Sequence, residues 1–111
     1  MLSSDASIRG VMLTGNYPSE WVTPEFATAV GTERFATMID TLPNALTSIC
    51  DVVLPAATWM EKAGTFENAT GLLQSFKQAV RPKRWAKSEA QIGIDLLAMH
   101  QGDATQAYCD T

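Results

Sequence analysis

Three places in this 111-residue chain set a polar side chain just beyond an apolar run: Asn16, Asp40 and the Glu61-Lys62 pair. An amide, a carboxylate and an ammonium displayed along one edge could hold a nucleotide. The carboxylate accepts from two donors of a guanine edge, the amide donates or accepts, and lysine suits a phosphate. Asn16 and Asp40 are equally common turn residues that bond their own backbone, so spacing alone leaves both roles open. On the nucleotide reading, Asp40→Ala would weaken guanine nucleotide binding and barely change thermal stability. Other chemistry is poorly provided for. The lone histidine, His100, falls in an expected carboxyl-terminal helix, far in sequence from a persuasive nucleophile. Cys50 and Cys109 form no CxxC pair, and one histidine supplies no evident zinc ligand set. Cys50 reads as a small packed hydrophobe. Neither GxGxxG nor GxxxxGK[ST] occurs, so no glycine loop cradles a phosphate.

The elements that must position these groups follow from apolar runs and their breakers. Arg9–Thr14 (RGVMLT) reads as a strand stopped by Gly15-Asn16-Tyr17-Pro18. Thr23-Pro24-Glu25 supplies a capping hydroxyl, a first-turn proline and an acid at the positive end of a helix dipole, predicting a helix to Val30 that stops at Gly31. Phe35–Ile39 is a second strand ended by Asp40-Thr41-Leu42-Pro43. A short helix is expected over Asn44–Ile49, then a third strand over Asp51–Pro55. Its unbroken apolar run predicts burial on both faces. Ser88-Glu89-Ala90-Gln91 has the form of a capping box, opening a helix with Ile92, Leu96 and Met99 on one stripe, Leu97 beside it, and Gly93 as a weak point. Strands alternating with helices imply crossovers and a parallel sheet. In such sheets ligands lie outside the carboxyl ends of the strands, which is where Asn16, Asp40 and Glu61-Lys62 fall.

Composition narrows the classes further. Hydrophobic residues make 46% of the chain and charged ones 18%, which argues against a disordered tail or a coiled coil. No apolar run approaches the roughly 18 residues of a membrane-spanning helix, and Met1-Leu2-Ser3-Ser4-Asp5 lacks the pattern of a secretory signal. An intracellular, soluble protein is the expectation. The net charge of −4 disfavours nucleic acid as a partner. Yet Lys62, Lys77, Arg81, Lys83, Arg84 and Lys87 face only Glu67 across their segment, making it +5 and the remainder −9. Such a run beside Trp85 reads as a solvated face or as a surface docking on an acidic neighbour. RNA or single-stranded DNA is the lesser reading, because no RNA-binding motif supports it.

The segment Cys50–Gln74, CDVVLPAATWMEKAGTFENATGLLQ, resembles the molybdopterin oxidoreductase family, whose pattern is approximately A-D-V-V-L-P-A-A-x-x-x-E-K-x-G-T-x-x-N-x-E-G-R-x-Q. It fits without a gap. Gly15-Asn16-Tyr17-Pro18 is similar to that family's G-x-N-P turn with one residue differently placed. Asp40 falls where the family has an aspartate before the helix leading into the A-D-V-V-L-P strand. Ala79-Val80-Arg81-Pro82 and Ala86-Lys87-Ser88-Glu89 match its A-V-x-P and A-K-x-D, so the resemblance covers about Ile8 to Met99. It implies an α/β fold: a Rossmann-like three-layer domain over residues 1–100, with a short parallel sheet of about three strands and helices on both faces, and a flexible tail over 101–111. It also implies one half-site for a molybdenum bis(pterin guanine dinucleotide) cofactor, with the nucleotide half contacted by Asn16, Asp40, Lys62 and Glu89. Formate dehydrogenases, periplasmic nitrate reductases and the G subunit of NADH–quinone oxidoreductase share the pattern.

Departures from it carry weight too. Thr70 and Leu72 replace a glutamate and an arginine, and leucine cannot supply a planar bidentate partner. Glu89 replaces an aspartate, and Ala90-Gln91 lacks a tryptophan common there. These departures point to a scaffold of the G-subunit type, with the cofactor's nucleotide half bound or lost. The partners implied are the remaining domains or subunits of an oxidoreductase complex, with no nucleic acid and no direct membrane insertion. Such a subunit would be cytoplasmic, peripheral to the inner membrane through its complex, and not catalytic alone. The alternatives are a cofactor-binding fragment of an active molybdenum enzyme and a stand-alone interaction module that keeps the fold.

Overall fold

A computed structural model of the chain describes residues 7–16, 19–31 and 34–102. The chain divides into two compact units, Met1–Pro55 and Ala56–Thr111.

The first unit is built on β1 (Gly10–Thr14), α1 (Pro24–Gly31), β2 (Phe35–Asp40) and β3 (Val52–Pro55). The three strands form one parallel sheet in the order β1-β2-β3, with Gly10 opposite Phe35 and Thr37 opposite Val52. This is the short parallel sheet of an α/β fold that the apolar runs predict. Helix α1 begins as its cap implies: the Phe26 N–H donates to Thr23 Oγ1 at 3.2 Å, satisfying an otherwise unpaired first-turn amide. Its buried face, Ala27 and Val30, packs with Ala36 and Met38 of β2 and with Leu46. Val11, Leu13, Trp21, Val22 and Cys50 close round this cluster.

Two expectations for this unit fail. The strand buried on both faces is β2, from Ala36 to Asp40, whereas β3 leaves Val52 37% and Val53 40% exposed. Because β2 lies between the other two strands, its neighbours cover its edges, while β3 has a partner on one side only among the described residues. The short helix over 44–49 is instead a run of turns. Asn44 and Thr47 cap its start. The Leu46 N–H donates to Asn44 Oδ1 at 2.9 Å, and the Asn44 N–H donates to Thr47 Oγ1 at 2.9 Å. These bonds satisfy amides at the start of a turn that closes on the Leu46 carbonyl, which accepts from the Ile49 and Cys50 N–H groups at 3.0 and 2.9 Å, and the chain leaves for β3 before a second turn forms. The chain then enters β3 through Asp51, whose carboxylate accepts from the Ala36 N–H at 2.8 Å while its own N–H donates to the Ala36 carbonyl at 2.9 Å.

The second unit holds a 3-10 turn (Trp59–Glu61), the antiparallel hairpin β4 (Gly64–Glu67) and β5 (Leu73–Phe76), and α2 (Glu89–Gln101). The hairpin has no counterpart among the elements expected from the sequence. Its turn is fixed by Asn68, whose Oδ1 accepts from the Thr70 N–H, the Thr70 hydroxyl and the Leu72 N–H at 2.8–3.0 Å. Phe76 stacks on Phe66 with centroids 4.6 Å apart, and its ring lies where a Cβ on Gly64 would have to sit. Helix α2 starts at the expected cap, with the Gln91 N–H donating to Ser88 Oγ at 3.1 Å, and ends on Gly102 in the left-handed conformation. Its expected apolar stripe is only partly covered. Ile92 is buried, but Leu96 and Leu97 are exposed and Met99 is 78% exposed. The expected tail begins at the last residue of α2, and its residues 103–111 lie outside the described residues. Among the described residues, no helix is long and apolar enough to cross a membrane.

Candidate functional site

Parallel neighbours bring the carboxyl ends of β1 and β2 to the same edge, which puts Asn16 beside Asp40. Gly15 carries the chain out of β1, its N–H donating to the Ile39 carbonyl at 2.9 Å. A Cβ on Gly15 would collide with the Asp40 carboxylate, so only glycine permits this close approach. Asn16 then turns the chain at φ 78°, a left-handed conformation that asparagine tolerates better than most residues. That turn aims its backbone N–H at Asp40 Oδ1, 2.9 Å away.

Asp40 is 7% exposed and sits at the centre of a small network. Oδ1 accepts from the Asn16 and Thr41 backbone N–H groups, at 2.9 and 2.7 Å. Oδ2 accepts from Trp21 Nε1–H at 3.2 Å and from the Asn44 side-chain amide at 3.0 Å. A carboxylate offers about four acceptor positions, and four donors of this chain converge on them. The carboxylate joins the turn after β1, the segment before α1 and the turns after β2, so Asp40→Ala is expected to cost stability instead of leaving it nearly unchanged. Trp21 is itself steadied by Phe26, whose ring centroid lies 6.1 Å away. Its role and that of Asn44 escaped sequence reasoning. An aspartate four residues before an asparagine was the one available signal.

Two crevices of about 310 Å³ each open around this network. Both are lined by Asp40, Leu42 and Pro43. One adds Met38, Thr47 and Val53; the other adds Glu20, Trp21 and Asn44. Their walls are apolar with a few polar groups, the usual makeup of a small-molecule cleft.

The second unit holds the other two nominated residues, paired with each other. Lys62 Nζ donates to Glu89 Oε2 at 2.6 Å, both side chains being largely covered. Glu89 opens α2, where a carboxylate is favoured by the helix dipole. Glu61 serves the backbone instead. It accepts from the Thr58 N–H at 2.9 Å, the Thr58 hydroxyl at 3.1 Å and the Lys83 N–H at 3.1 Å. These bonds, Thr58's first, hold its carboxyl below the usual glutamate range. Lys87 Nζ donates to Asp95 at 2.5 Å, and Gln91 adds a bond at 2.9 Å. Both lower the Asp95 pKa, Lys87 the more strongly.

The remaining candidates take quieter roles. His100 lies exposed in the last turn of α2, where a cation suits the helix dipole. Cys50 is half-buried against the core, as expected, and burial together with the Asp51 charge pushes its thiol pKa up. Cys109 lies outside the described residues. Among the described residues, no group of three or more histidines, cysteines and acids could hold a metal ion.

Comparison with known proteins agrees with the motif. A model of the molybdopterin oxidoreductase family matches residues 5–98. Over 95 residues, 85% of this chain, the sequence is 27% identical to a protein of Symbiobacterium thermophilum described as a nitrate reductase. The chain spans about 13% of that relative's length.

Proposed function

Given that the chain belongs to the molybdopterin oxidoreductase family, we propose that it is a structural part of an electron-transfer subunit of the NADH–quinone oxidoreductase G type. It would act there as a scaffold, without chemistry of its own. Family membership implies a molybdopterin cofactor in members that carry the chemistry; in the scaffold proposed here the subunit containing this chain holds none. The assembly would place the chain in the cytoplasm at the inner membrane's periphery, among the other domains or subunits of the complex.

One observation carries this reading. Each acidic or cationic group nominated for the nucleotide is already engaged by another residue of the chain. Asp40 takes four internal donors, and Lys62 is ion-paired with Glu89. To meet a guanine edge, Asp40 would have to release Trp21 and Asn44, leaving their N–H groups to find other acceptors. Such an unpaired group costs about 1–3 kcal/mol where it stays buried. As arranged, these residues fit one another better than they fit a dinucleotide. The changes at Thr70 and Leu72 agree, since Thr70 serves the hairpin turn and Leu72 stands exposed.

A second reading, a cofactor-holding fragment of an active molybdenum enzyme, is favoured by the likeness to the nitrate reductase and by the two crevices beside Asp40. On this reading Asp40, in the first unit, would give up internal donors to accept from the nucleotide. The bound cofactor would supply the redox chemistry.

Purification of the assembled native complex, followed by molybdenum and pterin analysis, separates the two. The scaffold predicts a complex that passes electrons from NADH with no pterin assigned to the subunit containing this chain. Stoichiometric molybdenum and pterin in that subunit would overturn it.

A further inference from the structure

The segment from Lys77 to Lys87 carries a second feature that the family role does not use. Lys62 and Lys87 of the basic run are consumed by Glu89 and Asp95. Lys77, Arg81, Lys83 and Arg84 remain exposed, with no acid between Glu67 and Glu89. Among them stands Trp85, 86% exposed. Exposed tryptophan and arginine, here adjacent in sequence, are the residue types most enriched at interaction hot spots.

The display is fixed in place. The Ala79 and Val80 N–H groups donate to the Met60 carbonyl at 2.9 and 3.1 Å, and the Gln78 side chain donates to the Val80 carbonyl at 2.9 Å. The Lys83 N–H is held by Glu61, and the Ala86 N–H closes a turn on the Lys83 carbonyl at 3.2 Å. Within that turn Arg84 adopts φ 57°, a conformation a long side chain seldom takes. A loop anchored at both ends, with its backbone held in a sparsely populated region at its tip, lowers the backbone entropy lost on binding.

We propose that Arg81, Lys83, Arg84 and Trp85 form a docking surface for an acidic segment of a neighbouring polypeptide, one whose carboxylates alternate with an apolar side chain that covers Trp85. Charge complementarity selects that occupant. Arg81, Lys83 and Arg84 lie exposed within four consecutive positions, while the chain as a whole carries −4. A nucleic-acid strand would bring a run of phosphates to a chain whose net charge is itself negative. A short acidic segment meets Arg81, Lys83 and Arg84, whose three charges outnumber the Glu61 carboxylate held by the Lys83 N–H, and at physiological salt it feels charges within a Debye length of about 8 Å. This inference stands whether or not the family cofactor is held.

The test uses the full chain and two fluorescein-labelled probes read by anisotropy at 150 mM salt. One is a glutamate-rich peptide carrying a leucine and a phenylalanine; the other is an oligothymidylate of equal charge. Saturable peptide binding is expected, tighter than oligothymidylate binding. K83E/R84E should weaken it by about tenfold or more, and Trp85→Ala by about threefold or more. Circular dichroism checks that each variant folds. Should K83E/R84E fail to fold, K83A/R84G removes the same charges while glycine accepts the backbone at position 84. Absence of saturable peptide binding overturns the proposal. So does affinity unchanged in either folded variant, or tighter binding of the oligothymidylate.

Discussion

Replacing Asp40 tests the site network most sharply. In Asp40→Ala, four donors lose their acceptor: the Asn16 and Thr41 amides, the Trp21 indole and the Asn44 side chain. Hydrogen bonds to a charged acceptor contribute about 1.5–3 kcal/mol each. These donors are partly buried, so water recovers some of that, and roughly 1 kcal/mol per donor is a fair net loss. The sum is about 4 kcal/mol, close to the whole stability of a marginal domain. Asp40→Asn keeps shape and one carbonyl oxygen, but turns its NH2 toward two donors, for a loss of about 2 kcal/mol. Urea unfolding followed by Trp fluorescence gives both values. Ranking Ala worse than Asn, with the Ala loss above about 3 kcal/mol, is the expected result. A loss below about 1 kcal/mol for Asp40→Ala would refute the network as a source of stability.

Further outcomes follow from neighbouring geometry. Gly15→Ala should destabilise by about 1–3 kcal/mol, because its Cβ meets the Asp40 carboxylate, and the same urea titration reads it. Gly93→Ala should do the reverse in a thermal melt: a Cβ there meets nothing within 4 Å in mid-helix, so about 1 kcal/mol of stability is gained. The depressed pKa values of Glu61, Asp95 and Glu25, the last lowered by its backbone hydrogen bond and by Thr23, each contribute to the acid limb of stability. A carboxylate with a lowered folded pKa contributes above its unfolded pKa, and that contribution fades as pH falls through the folded value. Melting temperature should therefore fall below about pH 4.5, and Glu61→Gln should flatten that fall. An acid limb of equal slope in both proteins would contradict the assignment.

Much of the first unit is legible in the residues, because its elements are local. Each strand is an apolar run with a breaker at its end, and α1 and α2 both start at the hydroxyl caps Thr23 and Ser88. The sheet order is not local. Phe35–Asp40 and Val52–Pro55 are both short and apolar, and nothing in either run says which becomes the central strand. The missed hairpin hangs on Asn68, one side chain that binds three donors in its own turn. Sequence places Asn16, Asp40, Lys62 and Glu89 as candidates but cannot reveal how each is engaged. The Lys62–Glu89 ion pair spans 27 residues, and the Trp21 bond to Asp40 spans 19. Whether a polar group faces a ligand or another side chain is decided by such distant partners.

The Trp21 indole N–H offers the most direct test of whether Asp40 serves the chain or a nucleotide. Its NMR resonance, assigned through loss in Trp21→Phe, reports the bond to Asp40 Oδ2. The scaffold account predicts that this resonance stays in place when guanosine diphosphate is added to the full chain at millimolar concentration. A saturable displacement of the signal, abolished in Asp40→Asn, would contradict it.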